Sequence, residues 1–184
     1  MSEPFRTRRY VPVAAAERPH RRRAAARIVV TDGTAVLLFA DTDPGLPGSR
    51  WWVTPGGGLD PDETEREAAV RELAEETGLR VAASDLLGPV AIREVVHGYS
   101  DQVLHQREAF FVLVTPRFEV DTAGHTEGEQ ITLAGHAWHR LDELEALPEP
   151  VWPVELARLA ALEHDPQLWP VDLGEIEEST VPVG

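Results

Sequence analysis

Six side chains within fourteen residues are placed to do chemistry: Glu63, Arg71, Glu72, Glu75 and Glu76, with Glu65 beside them, just after the run Gly56, Gly57 and Gly58. At 100° per residue on a helix, Glu72, Glu75 and Glu76 share an arc of about 100°. Leu73, Ala69, Val70 and Thr77 fall on the opposite side, which is expected to face a core. Like charges three or four residues apart cost an isolated helix roughly 0.2 to 0.5 kcal/mol per pair. A face that tolerates this repulsion suits a cation, although an isolated acidic stripe is commonly just solvated surface. Hard divalent ions such as Mg²⁺ or Mn²⁺ take oxygen ligands and complete their shells with water and phosphate. The glycines remove side chains where a phosphate or an ion would approach, and they let a backbone group turn inward. One pocket framed by turn and helix is the expectation.

The elements that must hold this pocket are readable in outline. Ala26 to Thr31 and Ala35 to Ala40 are apolar runs split by Asp32-Gly33, a hairpin signal, and Trp51 to Thr54 reads as a short strand entering the glycines. The helix is expected to start at Asp60 as cap, with Pro61 in its first position and Glu63 closing a capping box, and to stop at Gly78. Further strands are expected around Pro89 to His97, Glu108 to Val114 and Gly135 to Arg140, and helices over Leu141 to Leu147 and Val154 to His164. Strands interrupted by a few helices predict an α/β or α+β layered domain. Three segments are expected: a basic N-terminal arm over 1–23, a folded domain over 24–164, and a peripheral acidic tail over 165–184.

Bulk composition narrows the function classes. The net charge of -15 repels polyanions, so long nucleic acids and anionic membranes are poor partners, and a cation must mediate contact with any phosphate compound. The absence of cysteine removes disulfides, thiolate zinc sites and cysteine nucleophiles. Arg8-Arg9 is followed by an apolar stretch that reaches only from Val11 to Ala16 and contains Pro12, too short for a secretory core. No window approaches the ~18 to 20 apolar residues that span a bilayer. A soluble cytoplasmic protein is expected.

From Gly57 to Leu79 the spacing is Gly, five residues, Glu63, seven residues, then Arg71-Glu72-Leu73-Ala74-Glu75-Glu76-Thr77-Gly78-Leu79. This resembles the Nudix box, G-x5-E-x7-R-E-U-x-E-E-x-G-U with U aliphatic, at every position. Seven fixed identities at ~7% usage would coincide about once in 10⁷ to 10⁸ trials, so chance is not the explanation. The resemblance implies a Nudix-type α/β/α sandwich with a mixed sheet. It implies metal-dependent hydrolysis of a small nucleoside diphosphate linked to another moiety, such as ADP-ribose, or of a nucleoside triphosphate. It also implies Glu72, Glu75 and Glu76 as Mg²⁺ or Mn²⁺ ligands, with the Gly56 carbonyl as a further one, and Arg71 and Glu63 as groups that orient those carboxylates. The general base in the family is either a box glutamate, here Glu72 or Glu75, or a residue of a later loop, for which Glu127 and Glu129 are the candidates. Substrate-contact candidates are Gly57 and Gly58, Trp51 or Trp52 for stacking on a base, and Arg50 and Arg93 for phosphate. Strand alternation puts one of the two tryptophans in the core. A homodimer is among the expectations, since dimers are frequent in the family. The rival reading is a Nudix-fold sensor without catalysis, but such modules usually lose box glutamates and this box is whole. The isopentenyl diphosphate isomerase branch leans on a cysteine that this chain lacks.

Overall fold

The computed structural model describes residues 8–183, so Arg6 of the expected basic arm lies outside the described residues. Its strands are β1 (His20–Thr31), β2 (Ala35–Asp41), β3 (Trp51–Val53), β4 (Gly56–Gly58), β5 (Leu87–Gly98), β6 (Val103–Val114), β7 (Leu133–Arg140), β8 (Val151–Trp152) and β9 (Val171–Glu177). The helices are α1 (Glu65–Thr77), α2 (Glu127–Thr132) and α3 (Leu156–Ala161). The sheet runs β8-β3-β2-β1-β6-β5-β9, with β4 also on β1 and β7 also on β2. It is mixed: β1 runs parallel to β6 from His20↔Val103 to Thr31↔Val114, β5 runs antiparallel to β6, and β9 runs parallel to β5.

Alternation along the central strands divides the core in two, because successive strand side chains point to opposite faces. Ile28, Val30, Phe111 and Leu113 pack with Ala68, Ala69 and Leu73 of α1. Val29, Phe110 and Val112 pack on the other face with Leu156, Leu159 and Ala160 of α3. A mixed sheet between helices is the expected α+β sandwich.

Several boundaries differ from expectation, each for a physical reason. Asp62 adopts a left-handed φ of 65°, which interrupts any helix begun at Asp60. Helix α1 is instead capped by Thr64, whose side chain accepts from the Glu67 amide while Glu67 accepts from the Thr64 amide. Leu141–Ala146 is a 3₁₀ helix, and α3 tightens into 3₁₀ over Leu162–His164. The expected arm is docked on the domain, since Arg8 pairs with Asp101, Ala15–Glu17 forms a 3₁₀ turn, and Arg21, Arg22 and Arg23 lie in β1 alongside β6. The expected peripheral tail supplies β9. Trp51 and Trp52 are both buried, at 2% and 7% exposure, because the sheet is covered on both faces and neither side of β3 meets solvent.

Arg93 is also in the interior, at 4% exposure. Its Nε donates to Glu108 Oε2 at 2.6 Å, and its two η nitrogens donate to the Glu178 carboxylate at 2.7 Å each. Glu108 takes a second arginine, Arg27, whose Nε donates to Oε1 at 2.9 Å. The two carboxylates therefore respond differently to the same burial. Burial raises the Glu108 carboxyl, but Arg27 and Arg93 outweigh it and hold it down to about 2. Glu178 has only Arg93 and feels the Glu108 charge, so burial keeps it above its ordinary value.

Arg93→Met leaves both acids inside without their shared cation, and is expected to lower the unfolding free energy by about 3 to 5 kcal/mol. A urea titration reads this as an earlier midpoint at unchanged slope, and an unshifted midpoint contradicts it. Because the folded Glu108 value lies below the unfolded one of about 4.3, its contribution is complete above that pH and is lost as pH falls toward 2. Acid titration of Glu108→Gln is therefore expected to show a shallower loss of stability over this window than the parent.

Candidate active site

The turn before α1 is built on missing side chains. Gly56 has φ 130°, and a Cβ there would run into the Ala26 carbonyl of β1, one residue from Arg27, its partner across the β1–β4 pairing. A Cβ on Gly57 would lie 2.6 Å from Glu72 Oε1, and one on Gly58 would lie 3.1 Å from Arg23 Cδ. Bare backbone lets the carboxylates of α1 press directly against β4. The Gly56 amide donates to Glu76 Oε2 at 2.8 Å, and the Gly56 carbonyl, expected to add a metal ligand, accepts from Arg27 Nη1 at 2.8 Å.

Arg71 is the hub of the outer half. Its Nε and Nη2 donate to the two Glu63 oxygens at 2.8 Å each, its Nη1 donates to Glu72 at 2.8 Å and Glu75 at 3.2 Å, and its Nη2 also reaches the Gly58 carbonyl at 3.0 Å. The side-chain bond from Arg71 holds the Glu63 carboxyl below its ordinary value. Glu63 and Arg71 thus sit where orienting groups belong. Glu65, on the helix flank, pairs with Arg107 instead.

The inner half gathers Glu72, Glu76 and Glu129, each offering one oxygen within 4.8 Å of the others. Glu75 is outside this group, with its side chain 39% exposed and turned to Arg71. Glu129 arrives from the stretch expected to be a polar loop. It stands in the first turn of α2, where its carboxylate accepts from the Thr126 amide at 2.6 Å and from Thr126 Oγ1 at 2.8 Å. His125 Nε2 donates to the Glu76 carbonyl at 2.9 Å, and the Asp121 amide donates to the Thr77 carbonyl at 3.0 Å, so the end of α1 anchors that stretch. Glu127 is exposed.

Electrostatics fits this trio to a cation. Burial, then Glu72 and Glu129, push the Glu76 carboxyl well above its ordinary range. Burial also raises Glu72, with Arg71 opposing. Three converging carboxylates, two of them buried, are the oxygen-donor set a hard divalent ion takes, and such an ion would relieve the mutual repulsion.

The remaining candidates are elsewhere. Trp51 lies with its ring 5.1 Å from that of Trp152, Trp52 is in the α3-side core, and Arg93 is locked in its acid pair. Arg50 lies over the Trp52 ring at 5.3 Å and 3.7 Å from Glu149. Arg27 carried no signal in the sequence, and His125, which reads there as an ordinary surface or strand histidine, instead holds the end of α1. The Thr126-x-x-Glu129 capping box was a readable sign of α2.

A family model described as NUDIX domain matches residues 20–161. A putative 8-oxo-dGTP diphosphatase of Bacillus subtilis (strain 168) is 43% identical over 61 residues, which are 33% of this chain and 38% of that relative. An uncharacterised Nudix hydrolase of the same organism is 26% identical over 66% of this chain and 67% of its own length. The crystal structure of a MutT protein from Bacillus halodurans superposes with a TM-score of 0.55 at 20% identity, covering 86% of this chain and 91% of that one, a likeness of fold. Among the described residues no helix is long and apolar enough to cross a membrane.

Adjacent glycines should respond differently to a methyl group. Gly56→Ala meets backbone at a φ that only glycine adopts easily, and is expected to cost about 1 to 3 kcal/mol or more. In Gly57→Ala the obstacle is the end of the Glu72 side chain, which can swing away, so the fold is expected to lose less. Thermal unfolding of the two variants checks the order, and equal losses would contradict it.

Proposed function

Because this chain belongs to the Nudix hydrolase family, we propose that it hydrolyses the pyrophosphate bond of a nucleoside diphosphate linked to another moiety, or of a nucleoside triphosphate. Mg²⁺ or Mn²⁺ would be held by Glu72, Glu76 and Glu129. The observation that carries this reading is the meeting of these three carboxylates beside bare glycine backbone. When bound, the ion supplies positive charge against phosphate oxygens and acidifies water.

The chain's own residues do the rest. Arg71 fixes Glu72 and Glu75 from the solvent side and is itself aimed by the Glu63 fork. The Gly56 amide fixes Glu76 from the inner side. Glu75 stands on α1 beside Glu72 and Glu76 without joining the trio and is partly open to solvent, and in this reading its carboxylate takes the proton of the attacking water. Glu127, exposed and outside the trio, has no part in this scheme. The attack gives two phosphorylated fragments. The name of the first Bacillus subtilis relative puts 8-oxo-dGTP on the list of substrates to try, beside ADP-ribose, canonical nucleoside triphosphates and dinucleoside polyphosphates.

The test separates holding the metal from taking the proton. With the best substrate of that panel, Glu75→Gln is expected to lower kcat by about 10²- to 10⁴-fold, the usual worth of a general base, while Mn²⁺ affinity stays near the parent's. Glu76→Gln is expected to lose turnover and Mn²⁺ affinity together. No release of phosphorylated fragments from any panel compound in the presence of Mg²⁺ or Mn²⁺ would end the proposal.

A further inference from the structure

Behind the carboxylate trio, a chain of hydrogen bonds that passes through the backbone of Gly56 crosses the sheet to the C-terminal segment. Glu76 accepts from the Gly56 amide, and the carbonyl of the same residue accepts from Arg27. A second, longer bond of 3.4 Å joins Arg27 Nη1 to the Thr54 carbonyl. Arg27 is held through Nε by Glu108, Glu108 by Arg93, and Arg93 by the bidentate Glu178. His97 Nδ1 then donates to the Glu178 carbonyl at 2.7 Å and fixes the last link. Glu76, Glu108, Arg93 and Glu178 are all at most 6% exposed. Bulk water therefore does not compete strongly for these bonds, and each is stronger than a surface counterpart.

We propose that Arg27 is a positioning residue of the active site: by holding the Gly56 carbonyl and taking its own aim from Glu108, it fixes the backbone on one side of the Gly56 Cα, and the amide on the other side orients Glu76. Geometry gives this work to a guanidinium. Arg27 faces Gly56 across the β1–β4 register, and one nitrogen must reach a carboxylate while another reaches a peptide oxygen. An ammonium is a compact charge without that fork. Glu178 extends the device. By occupying both η nitrogens of Arg93 it leaves the Arg93 Nε bond to a single oxygen of Glu108, and the other oxygen serves Arg27. A residue near the end of the described chain is thus coupled to the catalytic turn.

The inference rests on the proposed function for its consequence, metal holding, but not for its geometry, so two readouts are needed. The first is amide hydrogen exchange at Gly56 in metal-free protein, and the second is Mn²⁺ affinity from the spin-resonance signal of the free ion. Arg27→Lys keeps a cation against Glu108 and is expected to preserve the fold. It should exchange Gly56 about tenfold faster, the equivalent of one hydrogen bond, and bind Mn²⁺ about 10- to 100-fold more weakly. Glu178→Gln should move both readouts in the same direction by less. Should Arg27→Lys fail to fold, Arg27→Met combined with Glu108→Gln removes both charges together and is read the same way. A folded variant with parental exchange at Gly56 overturns the inference. If the parent itself binds no Mn²⁺, the metal assignment falls, and exchange at Gly56 alone decides the role of Arg27.

Discussion

The structure depends on keeping like charges together inside it. Glu72 and Glu76 are each 6% exposed, and Glu129 is brought to the same point. Carboxylates so placed repel one another and lose hydration. Nothing in local helix preference favours the arrangement. It persists because other groups favour it: a glycine turn that leaves room for the carboxylates, the Gly56 amide on Glu76, and Arg71 on Glu72. The price in stability is met by the two apolar layers, where Phe110, Phe111, Leu73 and Leu159 are almost wholly buried.

Arginine handles the charge throughout, since all 17 basic side chains of the sequence are arginines. Each critical position exploits the planar fork. Arg71 grips both oxygens of Glu63 while touching Glu72, Glu75 and Gly58. Arg93 grips both oxygens of Glu178 while touching Glu108. A fork that spans several acceptors fixes direction as well as charge, and direction is what a ligand set requires. The outer grip faces solvent and the inner one is dry: Arg71 reaches Glu72 of the trio directly, whereas Arg93 reaches only Glu108 and Glu178.

How much of this was legible from sequence follows the range of the interaction. Glu72 and Glu76 lie on one helix, so their shared face was readable from spacing, whereas Glu75, expected on that face as a ligand, stands outside the trio, and the orienting roles of Glu63 and Arg71 were implied only by the family resemblance. The start of that helix was misplaced because Asp60 and Glu63 imitate a capping box. They do bond, with the Asp60 amide donating to Glu63 at 2.9 Å, but in a turn that ends at the left-handed Asp62 before the true cap, Thr64. Glu129 was named only as a candidate base in a later loop, on the family resemblance, since its approach to Glu72 and Glu76 depends on contacts with α1 from His125 and Asp121. The partners of Arg27 and Arg93 are 81 and 85 residues away in Glu108 and Glu178, and no local pattern announces such pairs. Strand β9 escaped notice for the same reason. Its composition is that of a solvated acidic segment, and only the open edge of β5 makes it a strand.

That division has a consequence for how the site tolerates change. The trio draws Glu72 and Glu76 from one turn of α1 and Glu129 from α2, so under the proposed function a substitution at these three positions would alter chemistry directly. The residues that hold them in place are spread over β1, β5, β6 and the residues after β9, and each makes its contribution through a carbonyl, an amide or another charge. Gly56 is where the two sets meet: its amide belongs to the carboxylate trio and its carbonyl to the buried ionic chain. One residue, with no side chain of its own, joins the two peptide groups that link the sheet interior to the carboxylate trio. This is why its φ, available at low cost only to glycine, is as much a part of the site as any carboxylate.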